Sequence, residues 1–276
     1  MQKNYQPIGV FDSGYGGLTV LKSVLERLPQ YDYIYLGDNA RAPYGSRSFD
    51  VVYEYTREAV MSLFSMGCQL VILACNTASA KALRSIQQYD LPLFDPSRRV
   101  LGVIRPSVEQ IPLFTKTRHI GVLGTAGTVL SDSYPLEIAK FSGNQLIVTQ
   151  EACPMWVPLV ENDEMDNPAA DYFVKKNIQN LFLTDPQIDT VILGCTHYPL
   201  LIPTIRKFLP PHVTLLDQGP IVAVSLADYL VRHPEIDQKC SKEGTRRFLT
   251  TESVSNFEPR AGLFMGNVIS AEKIQL

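Results

Sequence analysis

The chain lacks an excess of either charge: 25 Lys and Arg face 28 Asp and Glu, a formal net charge of -3 over 276 residues. Without a basic field, neither nucleic acid nor an anionic membrane is an expected partner. Long apolar runs are also missing. No stretch approaches the roughly 20 residues that span a bilayer, and the opening MQKNYQPIGVFDSG has no signal-peptide core, so the expected location is the cytoplasm. The cysteines Cys68, Cys75, Cys153, Cys195 and Cys240 contain no C-x-x-C, and their irregular spacing suits neither a disulfide framework nor structural zinc. They are expected to be free thiols, with no metal. No Gly-Lys-Ser/Thr follows a glycine-rich turn, and DSGYGG at 12–17 is followed by Thr19 where a dinucleotide fingerprint needs its third glycine. No nucleotide cofactor is expected.

What is present is an ordinary globular composition, 45% hydrophobic and 19% charged, long enough for one large domain or two smaller ones. Short apolar runs alternate with helical periodicity, the pattern of an α/β protein with mainly parallel sheets. Residues 8–11 and 31–36 read as strands. Residues 49–66 read as an amphipathic helix stopped by Gly67, 69–74 as a strand buried on both faces, and 78–88 as helix. Cys75 then falls on a strand-to-helix turn.

The pattern recurs. IGV at 8–10 reappears at 120–122, VILACNT at 71–77 reappears as VILGCTH at 191–197, and VIRPS at 103–107 is weakly matched by LLDQGP at 215–220. Three matches in one order indicate internal duplication. The expected architecture is two similar Rossmann-like or flavodoxin-like domains related by a pseudo-twofold axis. The first is built from 1–97 plus 212–276 and the second from 98–211, with strand 213–216 returning to the first sheet and strand 100–104 starting the second. Ligands bind such sheets at the carboxyl ends of the strands, so Cys75 and Cys195 would approach one cleft from opposite sides.

The neighbours of the two thiols are polar. Cys75-Asn76-Thr77 sets a thiol, an amide and a hydroxyl at a helix start, where unpaired N–H groups favour a carboxylate and lower a thiol pKa. Cys195-Thr196-His197 pairs a thiol with an imidazole. A Cys-His nucleophile for acyl transfer competes with this reading but leaves Cys75 idle. Asp12 and Ser13 serve either as a local helix cap or as polar groups aimed into the cleft. The loop Arg41–Ser46, with Pro43, Tyr44 and Gly45, could present backbone N–H groups to a second carboxylate, and Thr125 and Thr128 supply hydroxyls in the second copy of the first turn. Cys153 has no mate in the other half. Cys68, Cys240 and Trp156 read as packing.

These residues carry a family resemblance over nearly the whole chain. FDSGYGGLTV at 11–20, APYGSRS at 42–48, ACNTAS at 74–79, GVLGTAGT at 121–128, ACPMWVPLVE at 152–161 and LGCTHYPLL at 193–201 resemble the glutamate racemases of the aspartate/glutamate racemase family. Aspartate racemases look similar around both cysteines but usually carry an acidic residue where this chain has His197. The resemblance implies a cofactor-independent, two-base isomerase that supplies D-glutamate for peptidoglycan. In it Cys75 takes the α-proton from D-glutamate and Cys195 takes it from L-glutamate, assisted by Asp12 and His197 respectively. It also implies that Asp12, Ser13, Tyr44, Gly45, Asn76, Thr77, Thr196 and His197 hold the substrate. The amino terminus begins seven residues before the first strand, so activation by a peptidoglycan precursor, linked in some relatives to an extension there, is not expected. An amino-acid sensor using the same cleft, another amino-acid racemase and a homodimer stay open.

Overall fold

The computed structural model describes residues 5–143 and 145–276; the first four residues of the opening segment lie outside it. All strand pairs are parallel, in two sheets. The first has the order β10-β9-β2-β1-β3-β4 and the second β6-β5-β7-β8. In the first, β1 is Ile8–Asp12, β2 Tyr33–Gly37, β3 Leu70–Leu73, β4 Arg99–Gly102, β9 Arg246–Thr250 and β10 Ala271–Lys273. The second contains β5 His119–Gly124, β6 Ile147–Ala152, β7 Thr190–Gly194 and β8 Thr214–Leu216. Every residue of β1, β2, β3 and β7 is buried. Helices on both faces explain why these strands read as near-continuous apolar runs rather than alternating ones.

The duplication is visible in the strand orders: β2-β1-β3-β4 and β6-β5-β7-β8 are the same arrangement. One part of the expected architecture needs correction. Strand 100–104 does not start the second sheet, because β4 pairs with β3, Leu70 to Arg99 and Leu73 to Gly102. Nor does strand 213–216 return to the first, because β8 pairs with β7. Each strand closes the βαβ crossover that begins in its own half, the connection that packs right-handed onto the same sheet. The exchange between halves falls one strand later than the expected boundaries at 97 and 211, in the helices. Helix Ile104–Gln110 buries Ile104 and Val108 with Ile120, Val122 and Tyr134 of the second half. Helix Gln218–Arg232 sets Val222, Ala223 and Leu226 in the cluster that holds Leu18, Leu21 and Val24 of the first.

Local signals account for the element boundaries. Ser48 accepts the Val51 N–H at the start of helix Phe49–Ser65. Gly67 ends that turn at φ +99, and a Cβ there would stand 2.6 Å from the Tyr5 carbonyl oxygen. The helix expected over 78–88 starts earlier, as Asn76–Lys81, because the Cys75 thiol caps it by accepting the Ala78 N–H at 3.4 Å. Gly67→Ala combines a left-handed backbone with a steric clash, and is expected to lower unfolding stability by about 1–3 kcal/mol. Urea denaturation would check this, and an unchanged midpoint would contradict it.

Candidate active site

In each sheet the chain leaves its first central strand in opposite directions, so a crevice opens at the carboxyl ends of β1 and β3 and again at β5 and β7. The two crevices face one another around a cavity of about 180 Å³. Cys75 lies just past β3 and Cys195 just past β7, and both thiols line that cavity.

Glycines let the halves approach. A Cβ on Gly16 would lie 2.4 Å from His197 Nδ1 and 2.5 Å from Thr196 Oγ1. No larger residue fits between the first turn of helix Gly17–Arg27 and the Cys195 turn. Thr19, at the position that breaks the dinucleotide fingerprint, donates its hydroxyl to the Thr196 carbonyl at 2.9 Å. Across the cavity Asp38 anchors the 41–46 loop by accepting from Arg41 Nε at 2.6 Å and from the Tyr44 hydroxyl. Gly45 then accepts the Gly127 N–H at 2.8 Å, joining this loop to the second half.

The two thiols sit in different electrostatic surroundings. Cys75 is 6% exposed and Ser13 Oγ lies 3.3 Å from its sulfur. Burial, and then the nearby charge of Asp12, push the Cys75 thiol up to about 12. The helix start expected to lower it does contribute the Ala78 N–H, but desolvation outweighs one weak hydrogen bond. Asp12 itself is buried, with its carboxyl raised chiefly by desolvation, although Oδ2 accepts the Gly14 N–H at 2.9 Å. Beside Cys195 the balance is reversed. His197 Nδ1 lies 3.9 Å from the Cys195 sulfur, and its Nε2 lies 3.0 Å from Glu161 Oε1. Burial opposes charge on this ring, but the hydrogen bonds to Cys195 and Glu161 prevail and push His197 from 6.5 up to about 10.

Most of the residues singled out in the sequence meet at this cavity. Asp12 and Ser13 line it from the first turn, Pro43, Tyr44 and Gly45 from the loop, and Thr77, Thr125, Thr196 and His197 from the remaining strand ends. The Thr77 and Thr125 hydroxyls are 3.1 Å apart across the two halves. The Tyr44 side chain turns away toward Asp38. Thr128 stands behind Thr125 at 3.1 Å, and the Asn76 amide bonds Gln218 and Tyr134 instead of facing the cavity. Glu161 was not singled out, although it ends the ACPMWVPLVE segment; only folding sets it beside His197. It is held there by helix Trp156–Glu161, whose buried Trp156 packs on Tyr198 at 4.8 Å and donates to Asn177 Oδ1 at 3.0 Å. Cys153 also lines the cavity, buried and with its thiol well above the ordinary value through desolvation. Among the described residues, no group of three or more His, Cys, Asp or Glu is arranged to hold a metal ion, and no helix is long and apolar enough to cross a membrane.

The folded protein holds the His197 proton more tightly than the unfolded chain. This charge therefore contributes stability in full below pH 6.5 and loses it as pH rises toward about 10. Over that window, thermal midpoints of the wild type should fall more steeply than those of His197→Asn. Parallel curves would show that the ring is not charged at neutral pH.

Comparison with known proteins agrees with this geometry. The family model for Asp/Glu/Hydantoin racemase matches residues 8–226. A glutamate racemase from Ruegeria sp. (strain TM1040) is 39% identical over 275 residues, covering 96% of this chain and 98% of the relative. The crystal structure of a glutamate racemase isoform from Bacillus anthracis superposes with a TM-score of 0.89 at 37% identity, covering 99% of each chain. That of the Francisella tularensis glutamate racemase in complex with D-glutamate gives 0.87 at 29% identity, covering 99% of this chain and 98% of the other. Two thiols at equivalent strand ends and a match over most of the length lead to one assignment: the chain belongs to the Asp/Glu/Hydantoin racemase family and is an amino-acid racemase of the glutamate racemase type.

Proposed function

We infer that the protein interconverts L- and D-glutamate by a two-thiol mechanism, acting in the cytoplasm to supply D-glutamate for peptidoglycan. The observation that carries the mechanism is the unequal pair of thiols on one cavity: Cys75 beside Asp12, and Cys195 beside a charged His197 backed by Glu161. Cys75, pushed up to about 12, keeps its proton, while the imidazolium of His197 stands 3.9 Å from the Cys195 sulfur. This is the arrangement that acts on L-glutamate. Cys195 takes the α-proton, and Cys75 delivers its own proton to the opposite face of the same carbon. The product is D-glutamate, with Cys195 now protonated and Cys75 a thiolate, and the reverse reaction restores the starting state. One base alone would return the proton to the face it left.

The carbanion between the two transfers places its charge on the α-carboxylate. Neutral donors support it: the Ser13, Thr77 and Thr125 hydroxyls line the cavity, and the backbone N–H groups after Cys75 open a helix. Fixed dipoles of this kind stabilise developing charge without reorganising. The D-glutamate bound by the Francisella relative supports the choice of substrate. His197, where aspartate racemases usually carry an acid, supports it as well.

In deuterated water with no added pyridoxal phosphate, L-glutamate should gain an α-deuteron while its optical rotation decays. Absence of exchange would reject the reading, and exchange on aspartate instead would reassign the substrate. Cys75→Ser and Cys195→Ser should each abolish racemisation in both directions. Cys195, His197 and Glu161 also form a Cys-His-carboxylate series suited to acyl transfer. Normal turnover in Cys75→Ser with none in Cys195→Ser would favour that chemistry. His197→Asn should slow the L-to-D direction about 100-fold.

A further inference from the structure

Behind the cavity, Asn76, Gln218 and Tyr134 form a closed ring of hydrogen bonds. Asn76 Nδ2 donates to Gln218 Oε1 at 2.6 Å, Gln218 Nε2 donates to the Tyr134 hydroxyl at 2.8 Å, and that hydroxyl donates to Asn76 Oδ1 at 2.8 Å. Each group gives once and accepts once. All three side chains are 2% exposed or less, so water does not compete for these bonds. Rings with a single sense of donation reinforce themselves in a low dielectric.

The members come from separate parts of the fold. Asn76 follows Cys75 directly and starts its helix. Tyr134 belongs to helix Ser133–Ser142 of the second half and lies against the other thiol's turn, with a Cβ on Gly194 falling only 3.2 Å from its ring. Gln218 is the first residue of the helix that crosses back to the first half. Its second amide hydrogen goes to Ser107 Oγ at 2.9 Å, and the Val103 carbonyl lies 3.2 Å from the same nitrogen, at the start of the helix that crosses outward. One amide therefore touches both crossovers and, through its two ring partners, both thiol turns.

We propose that Gln218 is a positioning residue for racemisation, its ring with Asn76 and Tyr134 fixing the separation of the Cys75 and Cys195 turns. The proposal rests on the two-thiol reading above. Both thiols act on one carbon, so their spacing governs the proton transfers, while the hydroxyls that hold the carboxylates lie on the cavity side of the ring. Opening the ring should therefore lower kcat and leave KM largely alone. A misplacement near 1 Å can cost about 100-fold in rate.

The test uses the full chain and kcat per folded protein, with the folded fraction taken from thermal melts. Gln218→Met keeps the shape and removes the polar atoms, and Tyr134→Phe removes one oxygen. Each should lower kcat by about 10- to 100-fold in both directions with KM within about threefold, and the double variant should be no worse than the poorer single one. Gln218→Glu offers the same donor and acceptor only when protonated, so its kcat should approach the wild type at pH 6 and fall toward pH 9. A residue that merely supports the fold would change the melts and leave these ratios alone. Wild-type kcat in Gln218→Met, or in Tyr134→Phe should the first fail to fold, overturns the proposal, as do effects that multiply in the double variant. Cys75→Ser and Cys195→Ser run alongside. If either still racemises, the two-thiol reading fails and the ring proposal falls with it; if both are dead and Gln218→Met keeps wild-type kcat, only the ring proposal falls.

Discussion

A thiolate taken out of water loses its solvation, and this protein buries two thiols on one cavity of about 180 Å³. Everything around the cavity can be understood through that cost. Two thiolates side by side would repel as well as lack solvent. The surroundings of the two sulfurs differ. Asp12 opposes ionisation of Cys75, while a charged His197, itself sustained by Glu161, lies beside Cys195. On the proposed reading, this asymmetry lets one sulfur act as acid while the other acts as base.

The fold supplies the opposition of the two sulfurs through repetition. Sheets of the same strand order place their cysteine-bearing turns at equivalent strand ends, and the two ends face each other. A repeated scaffold would impose matching environments if nothing else differed. The differences lie in what each turn meets. The Cys75 turn meets Ser13 and Asp12 of its own half. The Cys195 turn meets the glycine-lined first turn of the other half, which leaves room for the imidazole, and Phe264 packs edge-on to that imidazole at 5.3 Å.

The halves are joined by more than the cavity. Each sends a helix to pack on the other, Ile104–Gln110 outward and Gln218–Arg232 back, so the apolar cores are shared rather than merely adjacent. Buried polar groups lie where these helices begin, and each has its hydrogen-bond partners. Such a network is costly when half satisfied and specific when complete. It suits a protein whose chemistry depends on the relation between two halves.

Much of this was legible along the chain. The apolar runs, the helical periodicity and the recurrence of VILACNT as VILGCTH are local facts that burial on both faces of a parallel strand imposes directly. They were enough to place both thiols on strand-to-helix turns. The sequence alone could not locate the exchange between halves, because an edge strand such as β4 has the same composition in either sheet, and only its crossover handedness and helix packing decide. Nor could it find Glu161, which lies 36 residues from His197 in the chain and 3.0 Å away in space. The state of the Cys75 thiol departs from what its turn predicts for the same reason. A helix start is visible in residues 75–77, but the desolvation that overrides it depends on everything packed around the sulfur. The sequence determined which groups are present and which strand ends carry them; tertiary structure decided their charges and partners, because burial and through-space contact have no local signature.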